Sequence, residues 1–306
     1  MSRGRMLFHR DVQEYTGGHG KVWDYFNHAL ALGWDARVYL TPGSRRDRAN
    51  PWMSVPGRIE PQWQPGLADA LFLGGHDWSA VPEGTEHRVP VINLVQGLRH
   101  ADAALPLHGY LGRQARRICV GQPVADAIGA TGRLRGPTWV IPAALNLPPD
   151  VAAQAHGGQG VFVAAQKNRA LGQELAASLR GKGIEAVLAE EWMPRQDYLQ
   201  ALARAQVAVV LPLPAEGFFL PGLEAMALGC AVAMPDAIGN RQYAIDGVNC
   251  LMPAATPEAM AQAVERMLGD AALRARLRAG GRETAAGHSL SAEREAFAAV
   301  LADMQP

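Results

Sequence analysis

The sequence predicts an α/β protein made of two halves, each a parallel sheet covered by helices on both faces. Three observations predict it. Short apolar runs alternate with stretches of helical periodicity along the 306 residues, the pattern that a parallel sheet and its crossover helices require. The alternation pauses at Asn146-Leu-Pro-Pro-Asp150 and the turn Gly157-Gly158-Gln159-Gly160, then restarts. The 48% hydrophobic content suffices for two cores, and with only 19% charged residues the chain is no disordered polyelectrolyte.

In the first half, Met6–Phe8 reads as a strand, followed by a loop holding Thr16-Gly17-Gly18-His19-Gly20. Val22–Leu32 is an amphipathic helix stopped at Gly33. Ala36–Leu40 is the next strand, and 41–66, rich in Pro, Gly and Arg, is irregular. Ala70–Leu73 and Val89–Val95 are strands, Leu105–Arg117 a helix, Ile118–Val120 extended, Val124–Ala130 helical and Trp139–Ile141 extended. In the second half the strands are Val161–Ala165, Ala186–Leu188, Val207–Leu211 and Ala231–Met234. The helices are Ala170–Arg180, Arg195–Ala205, Pro221–Leu228 closed by Gly229, and a helix capped by Thr256 with Pro257 first, running to Leu268. Ala271–Arg278 and Ala292–Met304 complete the chain. Two βα alternations of similar length meeting near residue 150 indicate two Rossmann-like domains, 1–150 and 151–306, facing a central cleft.

Composition narrows the function. Lys plus Arg and Asp plus Glu are both 29, so the net charge is zero and non-specific nucleic-acid binding loses ground. The division is +3 for residues 1–150 and −3 for 151–306. Arg45, Arg46 and Arg48, and Arg113, Arg116 and Arg117 at helical spacing, read either as surface arginines or as contacts for an anionic lipid or nucleic-acid partner. Only Lys21, Lys167 and Lys182 are lysines. Cys119, Cys230 and Cys250 have no paired spacing, which argues against a disulfide framework or a zinc site, and the nine histidines show no ligand spacing, so no metal is expected. No signal-peptide core and no run of ~20 apolar residues is present. A cytoplasmic protein is expected, with peripheral contact at a membrane left open.

The most informative segment is Glu216-Gly-Phe-Phe-Leu-Pro-Gly-Leu-Glu224, where a strand leads through a loop into a short helix. Ligands of open α/β sheets bind beyond the carboxyl ends of strands. Two carboxylates across such a junction accept hydroxyl groups, which sugars and riboses supply. Alternatively Glu224 serves the helix macrodipole from the first turn and Glu216 is a solvated loop charge.

This segment resembles the Glu-x7-Glu motif of retaining, GT-B-fold glycosyltransferases of family 4, the group 1 glycosyl transferases. The similarity continues through Gly239-Asn-Arg-Gln-Tyr243, Asp246-Gly-Val-Asn249 and Leu251-Met-Pro253, into Thr256–Met267, and back to Ile118-Cys-Val-Gly121 and Val140-Ile-Pro142. It implies a metal-independent hexosyltransferase without cofactor, moving a sugar from a UDP- or GDP-sugar to an acceptor hydroxyl. The N-terminal domain would bind the acceptor, the C-terminal domain the nucleotide sugar, and a last helix near 292–304 would pack back on the N-terminal domain. Glu216 matches the acid beside the donor sugar and Glu224 the acid on the ribose hydroxyls. Gly217, Phe218, Phe219 and Leu220 match the loop at sugar and phosphate, and Gly18 the glycine turn near the diphosphate. Lys167 and Arg169 are candidates for neutralising the diphosphate, since Gln166 stands where the family has arginine. Phe219 replaces a family glycine and would reshape the sugar pocket.

Further candidates are His19, for phosphate or acceptor, and His76 with Asp77. Gln96 and Arg99 are placed with the acceptor, and either Gln96 or His100 stands in the position of a family histidine, His100 as a catalytic candidate. Each histidine also has a structural reading, His19 as a surface loop residue and His100 as a buried structural one. Two other functions stay open: a non-catalytic sugar-nucleotide-binding subunit, kept alive by Gln166 and Phe219, and a sugar-nucleotide epimerase. The acceptor could be a glycan, a lipid, a small molecule or a modified nucleic-acid base.

Overall fold

The structure, a computed structural model, describes residues 3–152 and 158–304. The chain divides into two compact units, Met1–Ala143 with Leu290–Pro306, and Ala144–Ser289. Gly157 of the expected turn lies outside the described residues.

The first unit begins with β1 (Arg5–Arg10), α1 (Gly17–Ala31), β2 (Asp35–Leu40), β3 (Ile59–Glu60), β4 (Ala70–Gly74) and β5 (Val91–Val95). After these come α2 (Pro106–Gly109), β6 (Arg116–Cys119), α3 (Gln122–Gly129) and β7 (Thr138–Val140). Its seven strands form one parallel sheet ordered β3-β2-β1-β4-β5-β6-β7. Strand alternation sorts side chains between faces. Leu7, Leu71, Leu73 and Val91 share one core with Trp78 and Val81. Phe8 and Phe72 stack on the other face at 4.8 Å and meet Phe26 and Tyr25 of α1.

The second unit contains α4 (Pro149–Ala152), β8 (Val161–Ala164), α5 (Arg169–Gly181), β9 (Ala186–Ala189), α6 (Arg195–Arg204) and β10 (Val207–Val210). It ends with α7 (Leu220–Ala227), β11 (Ala231–Ala233), α8 (Pro257–Gly269) and α9 (Ala271–Ala286). Its parallel sheet is ordered β11-β10-β8-β9. Val161, Val163, Val207 and Val209 pack with Leu175, Leu179, Met260, Val264 and Leu277 of α5, α8 and α9. Phe162, Ala208 and Val210 face the opposite way, onto Leu199 and Leu202 of α6 and Leu223 and Met226 of α7. Both sheets are parallel and helix-covered, as the alternation predicts.

The last helix, α10 (Leu290–Ala302), belongs to the first unit. Phe297 is fully buried, with its ring 5.0 Å from Tyr25 and 6.0 Å from Phe72. Beside it runs a buried ionic chain. Lys21 Nζ lies 2.8 Å from Asp24 and 2.8 Å from Glu293, and His28 Nε2 lies 2.9 Å from Glu293. Residues 21, 24, 25 and 28 form one stripe of α1. The stripe is polar yet buried because Glu293 arrives from α10 to satisfy it.

Several local expectations are corrected. α1 starts at Gly17, capped by the Thr16 hydroxyl on the His19 amide, so Gly18 and His19 lie in a helical turn and not in a loop. The helix expected over Leu105–Arg117 is only α2 and a short 3₁₀ turn at Tyr110–Gly112; Arg116–Cys119 pairs instead with β5 and β7. Strand geometry then separates the three arginines. Arg113 binds Glu86 and covers Trp78, Arg116 binds Asp303, and Arg117, with no exposed surface, donates to the carbonyls of Tyr110, Leu111, Arg113 and Arg135. They form no common basic face. The irregular 41–66 segment contributes the edge strand β3. α9 runs past Arg278 through Gly280, where a side chain would strike the Val248 carbonyl, at 2.6 Å. Glycine at this point permits close approach and does not end the helix.

Glu293→Ala would strip Lys21 and His28 of a shared buried carboxylate. We expect a loss of about 3 kcal/mol in urea unfolding, with Glu293→Gln, which keeps the shape, less damaging.

Candidate functional site

In the second unit the candidate groups follow the carboxyl ends of parallel strands. Lys167 lies just beyond β8, and its Nζ sits 2.7 Å from Glu216 Oε1 in the loop beyond β10. The Leu213 amide donates to the same oxygen at 3.3 Å. Lys167 is half exposed, whereas the Glu216 side chain is mostly covered. The Lys167 ammonium also stands 5.4 Å from the Phe219 ring centroid, a cation–π distance.

The loop carrying Glu216 is braced from the following segment. The Phe219 amide donates to the Gly239 carbonyl at 3.1 Å, and the Tyr243 hydroxyl donates to the Phe219 carbonyl at 2.6 Å. Gln242 Nε2 donates to the Gly217 carbonyl at 3.4 Å. A Cβ on Gly239 would come within 2.7 Å of Glu216 Cβ, so only glycine lets the two loops touch. Asn240, completely buried, accepts from the Ala237 amide and donates to the Pro235 carbonyl, fixing this turn. The Phe219 side chain is 2% exposed and packs into the unit's core beside Leu223. It therefore fills the interior and does not project into an open sugar pocket. Phe218 lies partly exposed, its ring 5.7 Å from Tyr243.

Glu224 corrects the reading in another way. α7 begins at Leu220, so Glu224 is in the second turn and gains nothing from first-turn placement. It is 3% exposed and pairs through Oε1 with Arg195 Nη2 at 2.8 Å. Arg195 is the first residue of α6 and also donates to the Asn146 carbonyl. Tyr198, one turn further along α6, has its hydroxyl buried with no hydrogen-bond partner among the described residues, and burial pushes its phenol well up. Sequence reasoning missed Arg195, because nothing in the spacing of 195 and 224 ties them together. Arg169, at the start of α5, pairs with Glu191 at 3.0 Å on the surface.

The first unit gathers a second set. His19 Nδ1 is 2.6 Å from Arg10 Nη2, and Arg10 Nη1 is 2.6 Å from Asp77, which is buried. Gln96 Nε2 donates to the Gly18 carbonyl at 3.2 Å. Gly18 itself has ordinary space, since a methyl group there would find its nearest atom at 3.6 Å, whereas a methyl group on Gly20 would meet the Tyr15 hydroxyl. A side chain at 20 would displace the Tyr15 ring, whereas one at 18 would displace nothing. His76 and Arg99 are exposed. His100 is 4% exposed; its Nδ1 lies 2.9 Å from the Gly97 carbonyl, and its Nε2 has no partner among the described residues. Burial, aided by Arg99 and other nearby positive charges, holds His100 down at about 4, and burial with Arg10 does the same for His19.

Cys119, Cys230 and Cys250 are free buried thiols, each pushed up to about 12 by burial. Among the described residues there is no cluster of three His, Cys, Asp or Glu able to hold a metal, and no helix long and apolar enough to cross a membrane.

Residues 126–270 match the family model for glycosyl transferases group 1. No curated protein sequence gave a match. Among solved structures, the chain is similar to Anabaena HepE in complex with UDP-glucose, at TM-score 0.75 and 14% identity, covering 98% of this chain and 100% of that one. Sucrose-phosphate synthase from Thermosynechococcus elongatus gives a TM-score of 0.69 at 16% identity, covering 99% of both chains. Trehalose 6-phosphate synthase from Burkholderia multivorans gives 0.68 at 12%, also covering 99% of both. The fold is that of GT-B glycosyltransferases.

The two depressed imidazoles have a measurable consequence. Between pH about 6.5 and about 4 the unfolded chain binds protons at His19 and His100 that the native state refuses. Stability must therefore fall as pH is lowered through that window. His100→Leu should flatten the pH dependence of urea unfolding by about 3 kcal/mol across it. An unchanged slope would show that His100 protonates normally in the native state.

Proposed function

We propose that this protein is a retaining family 4 glycosyltransferase that moves a hexosyl group from a nucleoside diphosphate sugar to an acceptor hydroxyl. The observation that carries it is the Lys167–Glu216 pair, braced beyond β8 and β10, with the buried Glu224 eight residues on. The HepE complex with UDP-glucose favours a UDP-sugar as donor.

In this reading the second unit holds the donor and the first unit the acceptor. Departure of the diphosphate builds negative charge on its oxygens, so a cation aimed there lowers the barrier. Lys167 is that cation: it is half exposed and exchanges Glu216 for phosphate at little cost. Glu216, released from Lys167, accepts from hydroxyls of the transferring sugar. Glu224 accepts a ribose hydroxyl through the oxygen that Arg195 leaves available. The amides of Gly217 and Phe218 approach the sugar and phosphate. Arg169 gives a second positive charge once drawn from Glu191. Gln96, Arg99 and His76 belong to the acceptor side. His100, buried against Gly97, supports the Gln96 loop. No protein-bound metal is needed in this scheme, because Lys167, Arg169 and backbone amides meet the diphosphate charge.

A binding subunit without turnover is the competing reading, favoured by Gln166 and by the engagement of Arg169 with Glu191. Thermal unfolding with UDP, UDP-glucose and GDP separates the cases. A ligand at 100 times its dissociation constant adds about 2.7 kcal/mol. We expect UDP and UDP-glucose to stabilise the wild type, Lys167→Ala to weaken both, and slow release of glucose from UDP-glucose to be detectable. Stabilisation without any release would favour the binding subunit, and no stabilisation by any nucleotide would overturn the donor assignment.

Gly18→Ala provides a cleaner test of the glycine turn. The protein tolerates a methyl there, and alanine is favoured over glycine in a helix by about 1 kcal/mol. Thermal stability should hold or rise while UDP-glucose turnover falls. Unchanged turnover would show that no ligand approaches this backbone.

A further inference from the structure

A cavity of about 170 Å³ opens in the first unit at the amino ends of β5 and β6. Arg10, Asp77 and Gln96 lie at the carboxyl ends of the same parallel sheet, so this cavity is on the other end of the sheet from them. Buried Val91 gives it an apolar wall. Its polar lining is Glu86, His87, Arg88, Gln114 and Arg116.

The carboxylates beside this cavity are already engaged. Glu86 accepts from Arg113 Nε at 3.0 Å and from Arg113 Nη2, and that pairing holds its carboxyl below the usual carboxylate range. Asp303 of the chain after α10 accepts from Arg116 Nε at 2.9 Å through its side chain and from Arg116 Nη2 at 2.7 Å through its carbonyl. What is left unspent is donor capacity. Arg116 keeps Nη1, and the exposed Arg88 and His87 side chains have no hydrogen-bond partner among the described residues. Gln114, also exposed, adds an amide. A guanidinium donates and never accepts, so the cavity matches a ligand rich in acceptors.

We propose that this cavity binds a phosphate monoester, held by Arg88 and Arg116 with the Gln114 amide and the His87 ring as further donors. The site does not depend on the glycosyltransferase reading. A tetrahedral phosphate offers three oxygens in different directions, which suits donors arriving from two chain segments, and guanidinium groups bind it in charge-assisted pairs. A carboxylate offers two oxygens in one plane and would leave part of this donor set unused. The cavity is smaller than the ~300–1,000 Å³ of pockets that enclose drug-sized ligands. It therefore takes the phosphate and a short carbon stem against Val91, not a whole nucleotide sugar.

Glycerol 3-phosphate probes the site in a phosphorus-31 NMR titration of the full chain at constant ionic strength. Wild type should bind it. Arg88→Ala, which removes an exposed side chain with no partner to lose, should weaken binding about tenfold or more, the worth of one hydrogen bond between charged groups. Arg88→Lys should recover part of the loss, and Lys167→Ala, in the second unit, should bind as wild type does. Equal binding by wild type and Arg88→Ala would overturn the proposal. So would a loss confined to Lys167→Ala, which would place the ligand in the proposed donor site, and so would no binding by wild type.

A phosphate monoester reaches such a site either as a soluble metabolite or as a lipid headgroup, and a second arm separates the two. Vesicles of phosphatidylcholine containing phosphatidic acid carry the monoester at their surface. Co-sedimentation of wild type with these vesicles, lost in Arg88→Glu, would identify a lipid as the source. Binding of glycerol 3-phosphate without co-sedimentation would identify a soluble one.

Discussion

Both units depend on one constraint: the backbone of a strand buried on two faces must bond to neighbouring strands, so its interior residues are apolar and polar chemistry is displaced to its ends. Phe8, Phe72, Val163 and Val209 are completely or almost completely buried for this reason. The residues at and just past the carboxyl ends are freer to be polar, whereas a charge inside a strand, as at Arg117 of β6, needs a set of carbonyl partners. Arg10 closes β1, Asp77 follows β4, Gln96 follows β5, Lys167 follows β8 and Glu216 follows β10. Within each unit the candidate residues thus lie beyond carboxyl ends of strands, which is the general rule for ligand sites in open α/β folds.

The two sets handle charge differently, and the difference suits different roles. Lys167 and Glu216 form a partly exposed pair, of a kind worth at most about 1 kcal/mol. Such a pair opens readily when a stronger anion arrives. Arg10 and Asp77 are both buried, and separating them would leave a charge in low dielectric at a cost of several kcal/mol. That pair is built to stay closed. The first arrangement fits groups that exchange partners with a substrate, the second fits groups that hold another residue still.

Sequence periodicity carried the parallel α/β architecture well because strands such as Val207–Val210 and helices such as Pro257–Gly269 are governed by local pattern and by caps like Thr256. It failed where tertiary partners decide. The helical look of Leu105–Arg117 yields to pairing of Arg116–Cys119 between two strands, and the apparent glycine loop at 17–20 becomes helix once Thr16 caps it. The candidate site was legible as far as Glu216, Glu224 and Lys167, since each follows a recognisable strand or sits in a recognisable motif. The bracing by Gly239, Tyr243 and Asn240 was only a familiar string of letters until the close approach to the Glu216 loop gave it a reason.

Arg195 was illegible for a deeper reason, and it changes how the proposed donor site works. Three cations follow strand ends or begin helices in the second unit, and each has its own carboxylate: Lys167 with Glu216, Arg169 with Glu191, Arg195 with Glu224. The group is close to neutral before a ligand arrives. An entering diphosphate gains only where a pair opens cheaply, and exposure ranks them. Lys167 and Arg169 are half exposed, whereas Glu224 is buried and would be left uncompensated if Arg195 departed. Arg195 therefore stays on Glu224 Oε1 and holds that oxygen in place. The other oxygen remains for a hydroxyl. In the proposed reading, phosphate recognition falls to the two pairs that can open, and hydroxyl recognition to the one that cannot.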